Sequence, residues 1–223
     1  LDAAGIARIR EAFAAAARRA DRLGIDGLEV HAAHGYLLHE FLSPLANQRS
    51  DDYGGSLANR MRLPLEVFEA VRDAFPAHKP VGIRVSATDW MDHGWDLEQT
   101  IALVRELVQR GVDWVDVSSG GISPRQKIVL GPGYQVPFAD AIRRATGVCT
   151  MTVGMITTPA QAEAIVASGQ ADMVALARAM LYNPHWPWHA AAELGATVDA
   201  PPQYWRSVPA DHPGLFGDLQ SRR

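Results

Sequence analysis

His31, His34, Tyr36 and His39 fall within one short stretch of the chain, and their side chains could serve two different chemistries. Closely spaced histidines can share a metal ion, so a zinc site built from His31, His34 and His39 is the first reading. The second is catalysis without a metal, with imidazoles as hydrogen-bonding groups and the Tyr36 phenol as a proton-transfer group. A lone histidine at a strand end is usually an ordinary loop residue, but two of them beside a tyrosine point to a site. Metal-dependent barrel hydrolases draw further ligands from other strand ends, and here those ends offer Arg84 and Arg178. Their fixed positive charges would repel a cation, so no metal is expected.

These residues need elements to hold them, and the chain repeats one unit. Asp2 can cap a helix in which Ile6, Ile9, Phe13, Ala17 and Ala20 recur at helical spacing before Gly24, and Gly27 to His31 then reads as a strand. A helix after Ser56 carries Leu65, Phe68 and Val71, with Pro64 expected to break or kink it, and Pro80 to Val85 is the second strand. Asp96 and Gln99 form a capping box for a helix through Val108, closed by Gly111, before a strand from Val112 to Val117. Val136 to Ala145 and the Thr158-Pro159 start mark two more helices, followed by strands from Val148 to Val153 and from Met173 to Leu176.

Strands joined by helices at this spacing require parallel pairing with right-handed crossovers, which leaves a closed barrel or an open doubly wound sheet. A doubly wound dinucleotide fold would carry a glycine-rich fingerprint after its first strand, and His31-Ala-Ala-His34-Gly35 has none. The expected fold is therefore α/β, of the TIM (β/α)8 barrel type. Barrel sites form at strand C-termini, where this chain places His31, His34, Arg84, Ser118, Ser119, Gly154 and Arg178. Cys149 reads as a small core residue on a strand, Trp186-Pro187-Trp188-His189 as part of a final helix packed on the barrel, and Pro201 to Pro213 as linker-like. Arg222-Arg223 reads as a solvated terminus.

Bulk properties narrow the function class. The chain has 223 residues and a formal net charge of -4, which gives no electrostatic reason to expect nucleic acid or an anionic membrane surface as a partner. One cysteine cannot form an internal disulfide or a cysteine-based metal cluster. Neither a signal peptide nor an apolar run of about 20 residues is present, so a cytoplasmic location without membrane association is expected.

The run His31-Ala-Ala-His34-Gly-Tyr36-Leu-Leu-His39-Glu-Phe-Leu-Ser-Pro44-Leu-Ala-Asn47-Gln-Arg49-Ser-Asp-Asp-Tyr53-Gly-Gly55-Ser-Leu-Ala-Asn59-Arg60 resembles the signature of the Old Yellow Enzyme family, in its bacterial, thermophilic-like branch. Further similar motifs follow in family order: Val-Gly-Ile-Arg84-Val-Ser, Asp-Val-Ser-Ser-Gly-Gly121, Val-Gly154-Met-Ile, Leu-Ala177-Arg178 and Gln203-Tyr-Trp-Arg206. The strand ending at His31 is similar to the family's fourth. The resemblance thus implies that residues 1–223 hold the later five βα units of one FMN-binding barrel, with 201–223 as a C-terminal extension.

That resemblance also implies a chemistry. In the family, NADPH or NADH reduces FMN, and the reduced flavin passes hydride to an alkene conjugated to a carbonyl or nitro group. Residues similar to His31 and His34 donate hydrogen bonds to the electron-withdrawing oxygen, where charge develops, and the residue similar to Tyr36 protonates the α-carbon. Arg84 is expected at the electron-rich edge of the flavin ring, and Gly154, Met155, Ala177 and Arg178 at its phosphate. Ala177 departs from the family's more usual glycine, although a methyl group does not block the backbone N–H. Asn47, Arg49, Asp52, Tyr53 and Arg60 read as a loop brace. Arg206 resembles a residue that relatives insert into a neighbouring subunit's substrate site, which implies a homodimer or dimer-based tetramer. The alternative is a non-catalytic flavin-binding or interaction module lacking the N-terminal strands. A dienoyl-CoA reductase-like enzyme would need an iron–sulfur motif and a second dinucleotide domain, against which one cysteine and an early C-terminus argue.

Overall fold

The computed structural model describes residues 1–217, so Arg222-Arg223 lies outside the described residues. Helix α1 (Ala3–Arg22) starts where Asp2 accepts the Gly5 N–H at 2.7 Å, satisfying an end donor that the helix itself cannot. Strand β1 (Leu28–Ala32), the short helix α2 (Leu37–Leu42) and α3 (Leu57–Ala74) follow. The expected break at Pro64 does not occur. Proline removes one N–H from the helix, but Leu63, Pro64, Leu65, Val67 and Phe68 are all buried, and that apolar face holds α3 on the core through the defect.

The rest alternates as β2 (Val81–Ser86), α4 (Leu97–Val108), β3 (Trp114–Ser118), α5 (Val136–Thr146), β4 (Cys149–Val153), α6 (Pro159–Ala167) and β5 (Met173–Ala175). Two further helices, α7 (Arg178–Tyr182) and α8 (Trp186–Glu193), precede a 3-10 turn at Pro202–Ser207. All five strands pair in parallel in the order β1-β2-β3-β4-β5. A doubly wound sheet would reverse its strand order at a switch point, whereas this one winds in a single direction, as a barrel wall does.

Register decides which residues face where. His31 lies opposite Arg84, Arg84 opposite Asp116, Asp116 opposite Met151, and Met151 opposite Met173, in one line across the sheet. One step back, Val30, Ile83, Val115 and Thr150 form the adjacent line, turned to the other face, and all are buried beneath the helices. The helix side is thus the core, and the opposite side carries the candidate residues His31 and Arg84. That opposite side is open toward both edges among the described residues: His31 is exposed and Met151 and Met173 are only half-buried, with Asp116 buried between them.

Three smaller expectations need correction. Pro201 to Pro213 is not a linker, because Ala191, Ala200, Leu215 and Phe216 form a second buried cluster with Trp188 and Trp205 packed on it. The proline count hid that apolar area, and Trp205 Nε1 ties the segment down by donating to the Ala200 carbonyl at 2.8 Å. The helix α8 that carries Trp188 does contact the barrel helix α6, but the Trp188 ring itself lies 5.2 Å from the Phe216 ring in this second cluster. Cys149 begins β4 half-buried instead of in the core, and burial pushes its thiol pKa up. Among the described residues no helix is long and apolar enough to cross a membrane.

Candidate functional site

The chain leaves β1 through a tight left-handed turn, with φ of 59° at His34 and 75° at Gly35, before α2 begins. Three contacts hold that turn. The His34 N–H donates to Ser86 Oγ at 3.0 Å, and Ser86 Oγ in turn donates to the Gly120 carbonyl at 2.8 Å. The Gly35 N–H donates to His39 Nδ1 at 2.9 Å. Gly121 completes the packing: its φ is +100°, and a Cβ there would sit 2.4 Å from His34 Cα, so only glycine fits.

The turn gathers the three side chains expected to act together. The His31 ring lies 5.2 Å from the His34 ring and 5.3 Å from the Tyr36 ring. His34 Nε2 is 2.6 Å from Ser118 Oγ at the end of β3, and Ser119 Oγ donates to Gln135 Oε1 at 2.5 Å. Gln135 then donates to the Val153 carbonyl at 2.6 Å, so a polar chain joins the end of β3 to β4. Tyr36 stands out from the sheet, 64% exposed. His39 leaves the group altogether: it is fully buried and bound to Asp89, which removes it from the three-histidine metal cluster considered above. Among the described residues no group of three or more His, Cys, Asp or Glu is placed to hold a metal ion.

Burial, followed by the charge of Arg84, lowers the pKa of both His31 and His34, and His34 is pushed down to about 4. Both are therefore uncharged near neutral pH. The folded chain resists a proton that the unfolded chain would take up near the ordinary value of 6.5, so this site's contribution to stability is present above 6.5 and declines as pH falls toward about 4. An NMR titration of histidine ring signals should give His34 a midpoint near 4, and an unshifted midpoint near 6.5 would contradict this geometry.

Arg84 Nε lies 3.1 Å from Asp116 Oδ2, close enough for an ion pair but out of hydrogen-bond alignment. Arg84 Nε and Asp116 Oδ1 are both buried without a hydrogen-bond partner among the described residues. Burial pushes the Asp116 carboxyl up to about 6, with Arg84 opposing the shift. Further along, residues 153–157 and 175–179 line a cavity of about 460 Å³ between the ends of β4 and β5, which brings Gly154, Met155, Ala177 and Arg178 together. Gly154 has a φ of +120°, and a Cβ would meet Tyr134 at 2.7 Å. A larger cavity of about 920 Å³ lies under α8, lined by His185, Trp188 and Tyr204, but no strand end reaches it and it holds none of these residues. Arg206 is exposed at the end of the 3-10 turn, outside both the strand-end group and the smaller cavity.

The brace residues tie their loop to itself and to α3 and α4. Asn47 Nδ2 donates to the carbonyls of Phe41 and Tyr53, Arg49 pairs with Asp51, Tyr53 bonds Glu66, and Arg60 donates to Leu42 and to Gln99 Oε1. Asp52 takes part through its backbone carbonyl, which accepts from Arg62. Sequence reasoning missed Ser86, Gln135, Asp89 and Asp116. Ser86 and Asp116 stand inside motifs already singled out, while Gln135 and Asp89 lie in loops whose local sequence carries no signal.

With this geometry in view, comparison with known proteins is informative. A family model described as NADH:flavin oxidoreductase / NADH oxidase matches residues 1–196. An NADPH dehydrogenase of Geobacillus thermodenitrificans is 48% identical over 203 residues, covering 91% of this chain and 59% of the relative. One from Bacillus licheniformis is 45% identical over 197 residues, covering 88% and 57%. The chain therefore spans well under two thirds of these relatives. Among solved structures, morphinone reductase in complex with tetrahydroNAD superposes with a TM-score of 0.71 at 31% identity, over 91% of this chain and 53% of that one. A 2-naphthoyl-CoA reductase with its naphthoyl-CoA gives 0.77 at 28% identity, over 86% and 29%.

Proposed function

The chain belongs to the NADH:flavin oxidoreductase / NADH oxidase family, and from that premise we propose that it forms the later part of an FMN-dependent NAD(P)H oxidoreductase that reduces activated C=C bonds. The observation that carries this reading is the joining of His31, His34 and Tyr36 at one strand end, in register with Arg84. Relatives named NADPH dehydrogenase support the reductant. The share of those relatives that the chain spans, together with its open sheet face, supports a barrel whose first three βα units lie before Leu1.

The residues present fit FMN. Arg84, whose side chain is 30% exposed on the open face while its buried Nε pairs with Asp116, would hold the electron-rich edge of the ring, and the cavity of Gly154, Met155, Ala177 and Arg178 would take the phosphate. When bound, FMN supplies two-electron transfer from NADPH or NADH to the alkene. The protein supplies the rest. His31 and His34, uncharged near neutral pH, donate hydrogen bonds to the carbonyl or nitro oxygen and stabilise the charge that develops there. For His34 to donate to the substrate its ring proton must sit on Nδ1, with Ser118 Oγ donating to Nε2 rather than to Gln135 Oε1. The exposed Tyr36 phenol gives its proton to the α-carbon.

In the complete protein, NADPH should bleach the bound flavin under anaerobic conditions and 2-cyclohexenone should restore its colour. A flavin that NADPH reduces but the enone cannot reoxidise would sink the alkene reading. Arg206, exposed and outside its own chain's site, suits a role at a partner's site in a homodimer or dimer-based tetramer. Sedimentation of the complete protein as a monomer would contradict that assembly.

A further inference from the structure

We infer that His39 and Asp89 are positioning residues for the reaction: this buried pair holds the His34–Tyr36 turn through the Gly35 N–H and thereby aims the His34 and Tyr36 side chains. The inference rests on the reading of those two side chains as substrate-facing.

The order of the hydrogen bonds leaves one arrangement. Both side chains are 0% exposed, so neither can turn to water for a partner. The Gly35 N–H donates to His39 Nδ1 at 2.9 Å, and a nitrogen that accepts carries no proton. The ring proton is therefore on Nε2, which donates to Asp89 Oδ1 at 2.9 Å. Asp89 Oδ2 accepts the Ser43 hydroxyl at 2.6 Å and the Trp95 N–H at 2.7 Å, which satisfies the carboxylate on both oxygens. The opposite tautomer would set an N–H against the Gly35 N–H and a lone pair against the carboxylate. Asp89 thus fixes the His39 tautomer, and the tautomer in turn makes the ring an acceptor at the turn.

The turn needs such an anchor. His34 is a non-glycine residue in the left-handed region, a conformation that persists only where its surroundings impose it. Ser86 holds the turn by the His34 N–H and His39 holds it by the next N–H, so the peptide between His34 and Tyr36 cannot rotate freely. A leucine at 39 would fill the same volume without this control. Because a displacement of about 1 Å in a reacting group can cost about 100-fold in rate, loss of the anchor should appear in turnover before it appears in cofactor binding.

The test uses two variants of the complete, FMN-loaded protein that separate the two bonds. In H39N the amide oxygen takes the place of Nδ1 and still accepts the Gly35 N–H, but nothing reaches Asp89. In H39Q the longer amide reaches Asp89, and Gly35 loses its acceptor. With 2-cyclohexenone, H39Q should lose about 10- to 100-fold in kcat, while FMN affinity and flavin reduction by NADPH stay at parental values. H39N should keep kcat within about threefold yet melt at a lower temperature. Nitrogen-15 histidine NMR of the parent should give the Nε2–H tautomer for His39. Parental kcat in H39Q, equal kcat losses in both variants that track their melting temperatures, or an Nδ1–H signal would overturn the positioning role. A parent inactive on the enone but showing the Nε2–H signal would instead sink the functional reading on which that role depends.

Discussion

Replacing His31 and His34 together by alanine in the complete, FMN-loaded protein should lower enone reduction by about 1,000-fold. Removal of one preorganised donor from a developing oxyanion costs about 100- to 1,000-fold, and these two rings, 5.2 Å apart, would share a single oxygen. Their losses should therefore not multiply in full. The double variant should still bind FMN, because Arg84 and the cavity at Gly154 and Arg178 owe nothing to the imidazoles. Reduction of the flavin by NADPH should suffer less than its reoxidation, since hydride leaving the nicotinamide creates no oxyanion. Rapid-mixing measurement of the two half-reactions distinguishes the outcomes, and an undiminished enone step with FMN bound would remove both histidines from the mechanism.

A second large effect is expected from the open sheet face. Expressed by itself, the 223-residue chain should aggregate or bind FMN far below one equivalent, because among the described residues β1 and β5 present unpaired strand edges and the side bearing His31, Met151 and Met173 lacks a facing wall. Restoring three N-terminal βα units of the kind its relatives carry should recover stoichiometric flavin and a cooperative melt. A soluble monomer of the isolated chain with sharp unfolding and one equivalent of FMN would defeat this expectation. The same result without enone turnover would favour a flavin-binding module over an enzyme.

The fold was legible because its signals are local. Asp2, Ser56, Asp96 and Thr158 each cap the helix they precede, and each strand is a short run of β-branched and aliphatic residues between such helices. What escaped depends on contacts distant in sequence. Pro64 looks like a helix breaker until the burial of Leu63, Val67 and Phe68 around it is known. The 201–213 segment looks like a linker until Trp205 and Phe216 meet α8. At the site, the histidines and tyrosine announce themselves by spacing. Their supports do not: Gln135 reaches Ser119 across 16 residues, and Asp89 meets His39 across 50. His39 was also the residue most easily misread, because its spacing from His34 suits a metal ligand and only burial reveals its partners.

We propose that the strand C-termini of this sheet form a flavin site with His31 and His34 beside it. A crystal structure of the complete protein grown with FMN tests it most directly. It should place the phosphate in the cavity between Gly154-Met155 and Ala177-Arg178, with the Arg84 guanidinium at the ring's polar edge and both imidazoles facing the space above the ring. Flavin bound under α8, among His185, Trp188 and Tyr204, or a strand-end site that stays empty at saturating FMN, would contradict the account.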